Sequence, residues 1–158
     1  MSGGAGGAAS PGDPEPEART QYGALPHRFL DRLEVMLISS RETRRWIIPK
    51  GWPIEEKAPH VCAALEARQE AGLEGTIGKK PLGFFHYEKR LKHDVPVICR
   101  VDVFPLLVQK QRKKWREKKQ RVTRWMLPEE AAELVWEPEL RDLILRFAAA
   151  FRERQRQA

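Results

Sequence analysis

The hydrophobic pattern near the start of the chain predicts paired strands. Residues 21–29 and 33–40 are short runs with apolar and β-branched side chains, separated by a turn-like segment at residues 30–32. This arrangement predicts a β-hairpin. In the second run, Leu33 and Val35 share one face, and Met36 lies on the other. A strand that is apolar on both faces is typical of the centre of a sheet.

A loop and a helix follow the hairpin. Residues 44–48 predict a further short strand, which ends at Pro-Lys-Gly-Trp-Pro, residues 49–53. Two prolines and a glycine in five residues exclude regular structure, so we expect a fixed loop there. Residues 58–71 predict a helix, since Pro59 suits its first turn and Gly72 suits its C-terminal stop.

Long strands dominate the middle of the chain. Residues 75–90 and 95–108 predict two strands joined by a polar turn at residues 92–94. Their aromatic and aliphatic side chains, Phe84 and Ile98 among them, are the expected core contributions. A short strand is predicted at residues 122–126.

Helices close the chain. One predicted helix begins at Pro128 and ends at about Val135. The last predicted helix begins at Pro138 and extends through Phe151, with apolar residues at helical spacing. Strands, a helix, more strands and final helices are typical of an α/β (α+β) fold with helices packed on a mixed sheet. We expect one domain over residues 21–153, a disordered leader at residues 1–20 and a C-terminal tail at residues 154–158.

One segment carries the net charge. The 158 residues include 29 Lys and Arg against 22 Asp and Glu, a net charge of +7. Residues 110–121, the basic segment, hold eight cations and one anion and therefore account for a charge of +7 by themselves. Polyanions such as phosphates or nucleic acid are the partners that this charge suggests.

Composition narrows the cellular setting. No stretch approaches the roughly 20 consecutive apolar residues that a membrane helix needs, so we expect no membrane partner. Cys62 and Cys99 are too few for a disulfide scaffold, although a single bridge stays open. A reducing cytoplasm is the expected location, and the oligomeric state is not predicted.

A pair of acids on the first helix carries the candidate chemistry. Glu66 and Glu70 are four residues apart and therefore lie on one helix face, about one turn from each other. An exposed acidic face is the simplest interpretation of such a pair. The rigid loop that leads into this helix instead favours a site in which both carboxylates face a cation.

The loop and the helix resemble the box of the Nudix hydrolase family. That box runs Gly, five residues, Glu, seven residues, Arg-Glu, an apolar residue, any residue, Glu-Glu, any residue, Gly and an apolar residue. Residues 46–53 also look like the segment that enters the box in enzymes related to diphosphoinositol polyphosphate phosphohydrolases. The resemblance extends over most of the chain, and the matching box positions are Gly51, Glu66, Ala67, Glu70, Gly72 and Leu73.

Three box positions depart from the family pattern. Lys57 replaces the first Glu, Leu65 replaces the Arg, and Gln69 replaces the first Glu of the Glu-Glu pair. Gln69 keeps a carbonyl oxygen but has no charge, and Leu65 cannot hold a carboxylate by paired hydrogen bonds as Arg would. We therefore expect weakened activity, unless Glu55 or Glu56 takes the place of the missing first Glu.

The resemblance implies a Nudix-type α/β/α sandwich with a mixed sheet that hydrolyses a diphosphate bond. Glu66 and Glu70 are then the catalytic residues and the ligands of Mg²⁺ or Mn²⁺, since hard cations enter phosphate sites through one or two carboxylates. Lys50, Gly51 and Arg90 are the expected substrate-binding residues. The implied substrate is a nucleoside diphosphate derivative or another small polyphosphate.

Two other functions stay open at this point. A catalytically silent Nudix domain would use the same cleft and the basic segment to bind a phosphorylated ligand or RNA. A plain nucleic-acid-binding module accounts for the charge but leaves the Gly-Trp-Pro loop and the acidic pair without a role. Nucleic acid is therefore the less favoured partner.

Overall fold

Two long parallel strands form the centre of the sheet. The computed structural model of the protein describes residues 18–90 and 95–158. Strand β1 (Arg19–Phe29) runs parallel to β7 (Pro96–Gln111), with Arg19 opposite Cys99 and His27 opposite Leu107. Most of the predicted leader, residues 1–17, lies outside the described residues.

The predicted hairpin is confirmed. Strand β2 (Leu33–Ser39) pairs antiparallel with β1, and His27 lies opposite Val35. On its other edge β2 pairs with β8 (Thr123–Met126), and the end of β2 pairs with β3 (Trp46–Ile47) on the same edge as β1. Strand β2 is therefore a central strand, which explains why apolar residues occupy both of its faces.

The prediction of a single strand over residues 75–90 is wrong. Two strands, β5 (Leu73–Ile77) and β6 (Gly83–Arg90), pair antiparallel with different parts of the same edge of β7. The break faces Pro105 of β7, which has no N–H to offer a ladder. There the Gly78 N–H donates to the Pro105 carbonyl over 2.8 Å. The predicted turn at residues 92–94 lies outside the described residues.

The loop that leads into the first helix is partly paired. Lys50–Gly51 forms the two-residue strand β4, in which Gly51 lies opposite Tyr22 and Lys50 opposite Gly23 of β1. The exclusion of regular structure from residues 49–53 is thus wrong for two of the five. Pro49 and Pro53 flank the pair, and this anchor fixes the position of the loop against the sheet.

The three α-helices of the described residues begin at prolines. Helix α1 (Pro59–Ala71) ends at Gly72, whose φ of 71° is the left-handed conformation that glycine adopts easily. Helix α2 spans Pro128–Leu134 and α3 spans Pro138–Gln157. Helix α3 thus continues past Phe151 through most of the predicted tail. No helix in the described residues is both long enough and apolar enough to cross a membrane.

Helices cover both faces of the sheet, which confirms the predicted α/β/α layers and mixed sheet. The alanines of α1 pack on one face, against residues such as Phe104 and Leu106. Helices α2 and α3 pack on the other face, where Leu143 and Ile144 meet the β1, β2 and β7 side chains. Phe84 and Ile98 were expected in the core, but they are 42% and 50% exposed.

A histidine in the α3 interface makes the stability of the fold depend on pH. His27 is buried among the rings of Phe147 and Phe151, whose centroids lie 4.8 and 5.8 Å from its own. Burial lowers the pKa of His27 below its ordinary value of 6.5, and the Arg154 charge adds to this effect against a hydrogen bond to the Leu25 carbonyl. Below about pH 6.5 the unfolded chain therefore binds a proton that the folded chain does not bind.

We expect the free energy of unfolding to fall as the pH drops below 6.5, with a slope of up to about 1.4 kcal/mol per pH unit from this residue. The variant His27→Gln, which keeps a polar side chain but cannot titrate, is expected to flatten that part of the profile. Urea unfolding at a series of pH values between 7.5 and 5 measures both. An unchanged slope in the variant would contradict the assignment.

Candidate active site

Helix α1 presents both predicted acids to one cleft. Glu66 and Glu70 line a cleft of about 410 Å³, which we call the carboxylate cleft. The alanine face of α1 lies on the sheet, so the adjacent face that carries the two acids meets β4. The other lining residues come from β1, the loop after β2, β3, β4, the loop after β4, β6 and the basic segment.

Gly51 allows Glu66 to approach the loop. A Cβ atom built on Gly51 would overlap the carboxylate of Glu66, so a side chain at this position would displace the acid. Pairing with Tyr22 of β1 holds Gly51 in place. The loop and the helix therefore meet at backbone contact, with one carboxylate directly against strand β4.

Glu70 is held from two sides. Its Oε1 accepts a hydrogen bond from the Lys50 backbone N–H over 3.2 Å, and its Oε2 lies 3.6 Å from Nη2 of Arg121. The residue is only 7% exposed. Glu70 is therefore a fixed carboxylate, oriented by a strand on one side and by a guanidinium on the other.

Arg121 lies in the site, although the sequence pattern did not indicate this. It is the last residue of the basic segment, yet its side chain is only 7% exposed. Its Nε donates to Oε1 of Glu117 over 2.7 Å, and its Nη1 donates to the Ser39 carbonyl over 3.1 Å. Arg121 thus bridges β2 and two carboxylates, and it holds a carboxylate of this site where Leu65 cannot.

Glu117 brings a third carboxylate into the lining of the cleft. The basic segment folds back over the end of α1, where the Glu117 N–H donates to the Gln69 carbonyl over 3.1 Å. Trp115 packs on Gly72 in the same turn. The only anion of the basic segment therefore lines the cleft, while the lysines of the segment are exposed and line no part of it.

Burial sets the electrostatics of the site. It raises the pKa of Glu70 to about 8, against the lowering effect of Arg121, and it raises the pKa of Glu66 as well. Burial also lowers the pKa of Lys50 to about 8, an effect that the Glu70 charge opposes. Two neighbouring acids whose ionised forms are disfavoured by burial are a place where an added cation gains binding energy.

The donor set suits a divalent cation that also uses substrate oxygens. No group of three or more His, Cys, Asp or Glu side chains in residues 18–90 and 95–158 is arranged to enclose a metal ion. Glu66 and Glu70 do supply two adjacent carboxylates, and Mg²⁺ is commonly bound by one or two carboxylates plus phosphate oxygens. The residues present therefore fit a cation that is shared with a phosphate ligand.

The substituted box positions lie away from the acidic pair. Lys57 is exposed before α1, as are Glu55 and Glu56, and none of the three lines the carboxylate cleft. Neither Glu55 nor Glu56 therefore takes the place of the missing first Glu. Leu65 and Gln69 line a separate cavity of about 330 Å³, so the Gln69 side chain does not reach the pair.

Two of the three predicted substrate-binding residues lie beside the acids, and the third lines a different cleft. Lys50 and Gly51 line the carboxylate cleft, and the Lys50 ammonium sits 4.6 Å from the ring centroid of Tyr87. Arg90 lies at the end of β6 and lines a second cleft of about 440 Å³, the adjoining cleft. Lys50 lines both clefts, so the carboxylate cleft and the adjoining cleft share a wall.

Known proteins resemble the chain in sequence and in fold. No family model matches it. Nudix hydrolase 12 of Arabidopsis thaliana, described as mitochondrial, is 30% identical over 109 residues, which cover 67% of this chain and 54% of that protein. Diphosphoinositol polyphosphate phosphohydrolase 3-alpha of Mus musculus is 36% identical over 85 residues, covering 53% of this chain and 48% of that protein.

A solved structure agrees with the fold. The Ap4A hydrolase of C. elegans in a binary complex matches with a TM-score of 0.64 at 19% identity, over 86% of this chain and 99% of that one. The chain belongs to the Nudix hydrolase family. It spans about half the length of the two curated relatives described above.

Removal of Arg121 tests its place in the site. We expect Arg121→Ala to lower the free energy of unfolding by about 3 kcal/mol, because two largely buried carboxylates lose their common cation. Arg112→Ala is the matched control, since this arginine belongs to the same segment but pairs with Glu74 at the surface, where a much smaller loss is expected. Urea unfolding compares the two, and equal losses would contradict the structural role of Arg121.

Proposed function

We propose that the protein hydrolyses a diphosphate bond in a nucleoside diphosphate derivative or another small polyphosphate, with the help of a divalent cation. The observation that carries this proposal is the pair of neighbouring acids, Glu66 and Glu70, at the wall of a cleft that also contains cations. Lys50, Lys89 and Arg41 line the same cleft. Carboxylates for a metal and cations for phosphate oxygens are the combination that a metal-assisted phosphate site needs.

The relatives support a polyanionic diphosphate as substrate. The mouse relative is named for diphosphoinositol polyphosphates, and the worm structure is that of an Ap4A hydrolase. Both names describe compounds in which phosphates are linked to one another. The cations along the cleft are consistent with a ligand of this charge.

Mg²⁺ or Mn²⁺ is the proposed cofactor, with Glu66 and Glu70 as its protein ligands. The bound cation would neutralise the diphosphate and activate the attacking water. The chain itself would draw the phosphates into the cleft through Arg41 and Lys89, and one of the two carboxylates would accept the proton that the water loses. The ties from Lys50 and Arg121 to Glu70 keep this acid in one orientation, which reduces the entropy lost on binding.

We further propose that turnover is slower than in an enzyme with a complete box, by about 10² to 10⁴. Gln69 is uncharged and Lys57 is a cation where the family pattern has carboxylates, and neither Glu55 nor Glu56 lines the cleft. Arg121 compensates for Leu65 in holding a carboxylate, but it also places a positive charge 3.6 Å from Glu70. That charge opposes the entry of a second cation.

Isosteric variants test the proposal. We expect Glu70→Gln and Glu66→Gln each to reduce kcat/KM by about 100-fold or more in Mg²⁺ or Mn²⁺, since each removes one charge without a change of shape. Glu133→Gln on the exposed side of α2 is the matched control and is expected to retain activity within about twofold. Release of phosphate or monophosphate from a panel of diphosphate compounds gives the rates. Full activity in Glu70→Gln would contradict the proposal.

The ion pair at Glu70 favours a second candidate function. Arg121 and Lys50 already place positive charge beside this carboxylate. A domain in that state would bind a phosphorylated ligand, or RNA through the basic segment, without hydrolysis. Titration calorimetry distinguishes the two candidates: binding of Mn²⁺ that is lost in Glu70→Gln supports the hydrolase, whereas ligand binding that needs no divalent cation supports the silent domain.

A further inference from the structure

An exposed tryptophan stands at the edge of the adjoining cleft. Trp136 is 67% exposed, in the short link between α2 and α3, and it lines this cleft. An aromatic ring of this size is normally at least half covered in a folded chain. Nothing in the packing of the helices requires an indole at this position, because the neighbouring Val135 already fills the core there.

The ring is held rather than loose. Val135 is 2% exposed and Glu137 is 9% exposed, so the backbone on both sides of Trp136 is anchored in the fold. The guanidinium of Arg45 lies 4.7 Å from the centroid of the indole and 3.3 Å from Oε2 of Glu137. Arg45 thus supports one side of the ring, while most of the indole surface stays open to a ligand.

The adjoining cleft continues into the carboxylate cleft. Arg41, Lys89 and Arg121 line both. A ligand can therefore place its phosphates beside Glu66 and Glu70 and extend past Arg41 and Lys89 into the cleft that Trp136 lines. An anchored aromatic face that lines the adjoining cleft but not the carboxylate cleft suits a planar group attached to a phosphate chain.

We propose that Trp136, supported by Arg45, is the subsite for the base of a nucleoside polyphosphate. This inference rests on the proposed function and narrows its substrate class, since inositol polyphosphates contain no planar ring to stack. Stacking does not distinguish strongly between bases, because every base has a π face. The site is therefore expected to select a nucleoside polyphosphate over a base-free one, with little preference among the four common bases.

Two probes with three phosphates each separate base binding from phosphate binding. One is the ATP analogue with a β,γ-methylene bridge, which resists hydrolysis at that bond, and the other is tripolyphosphate. Calorimetry on the full chain in Mg²⁺ is expected to show that Trp136→Ala raises the Kd of the analogue by about 5-fold to 150-fold, the range of base–aromatic stacking. The Kd of tripolyphosphate is expected to stay within about twofold, and Trp136→Phe is expected to restore most of the affinity for the analogue.

Phe84→Ala is the matched control. Phe84 is also an exposed aromatic with an arginine over its ring, Arg100 at 4.0 Å, but it lines neither cleft. Its truncation is expected to change neither Kd. If Trp136→Ala leaves the Kd of the analogue unchanged, or weakens both probes equally, the base subsite is overturned.

The failure of the subsite and the failure of the proposed hydrolysis give different results. In one outcome, hydrolysis depends on Glu70, but Trp136→Ala has the same KM for nucleoside substrates as the unmodified protein. This outcome overturns the subsite and leaves the activity standing. Selective loss of analogue binding in Trp136→Ala, in a protein that hydrolyses no diphosphate, supports the subsite and overturns the activity. A rise in KM with kcat unchanged supports both, because base stacking contributes equally to the ground state and the transition state.

Discussion

The side chain of Arg121 joins the parts of the molecule on which the site depends. It is nearly inaccessible to solvent and contacts the end of β2, Glu117 of the basic segment and Glu70 of α1. A buried guanidinium needs anionic partners, and buried carboxylates need a cation. The strand, the segment and the helix therefore depend on one another for charge compensation, and the position of the acidic pair follows from all three.

The backbone around this cation completes the arrangement. Strand β4 pairs with β1 and brings Gly51 against Glu66, where a larger residue would not fit. The Lys50 N–H of the same strand binds Glu70. The proline-rich loop is therefore attached to the sheet through a two-residue strand, and this strand contacts both acids of α1. The cleft that results is lined by carboxylates and cations together, a combination suited to a metal–phosphate ligand.

Local patterns predicted the elements, and contacts distant in sequence decided what the patterns left open. The hairpin of β1 and β2 and the bounds of α1 follow from alternation, from Pro59 and from Gly72, all of which act within a few residues. The break between β5 and β6 depends on Pro105 in a partner strand more than twenty residues away. The last turns of α3 have no apolar residues at helical spacing, so the sequence did not predict them. In the structure, Arg152 of α3 forms an ion pair with Glu129 of α2.

The site shows the same division. Glu66 and Glu70 could be found from their helical spacing and the preceding loop, because both signals lie within twenty residues. The roles of Arg121 and Glu117 could not, since a cation and an anion within a basic run are typical of an exposed surface until the fold places them against α1. The Gln69 position could be judged only in part: the sequence shows the lost charge, and the structure adds that the side chain faces a different cavity.

A crystal structure of the protein with Mn²⁺ and a non-hydrolysable diphosphate ligand, with the metal located by its anomalous scattering, tests directly whether Glu66 and Glu70 hold a cation. We expect an anomalous peak within coordination distance of both Glu66 and Glu70, with phosphate oxygens completing the shell. Density for the phosphate ligand with no peak between these carboxylates, and with Arg121 still against Glu70, would contradict it.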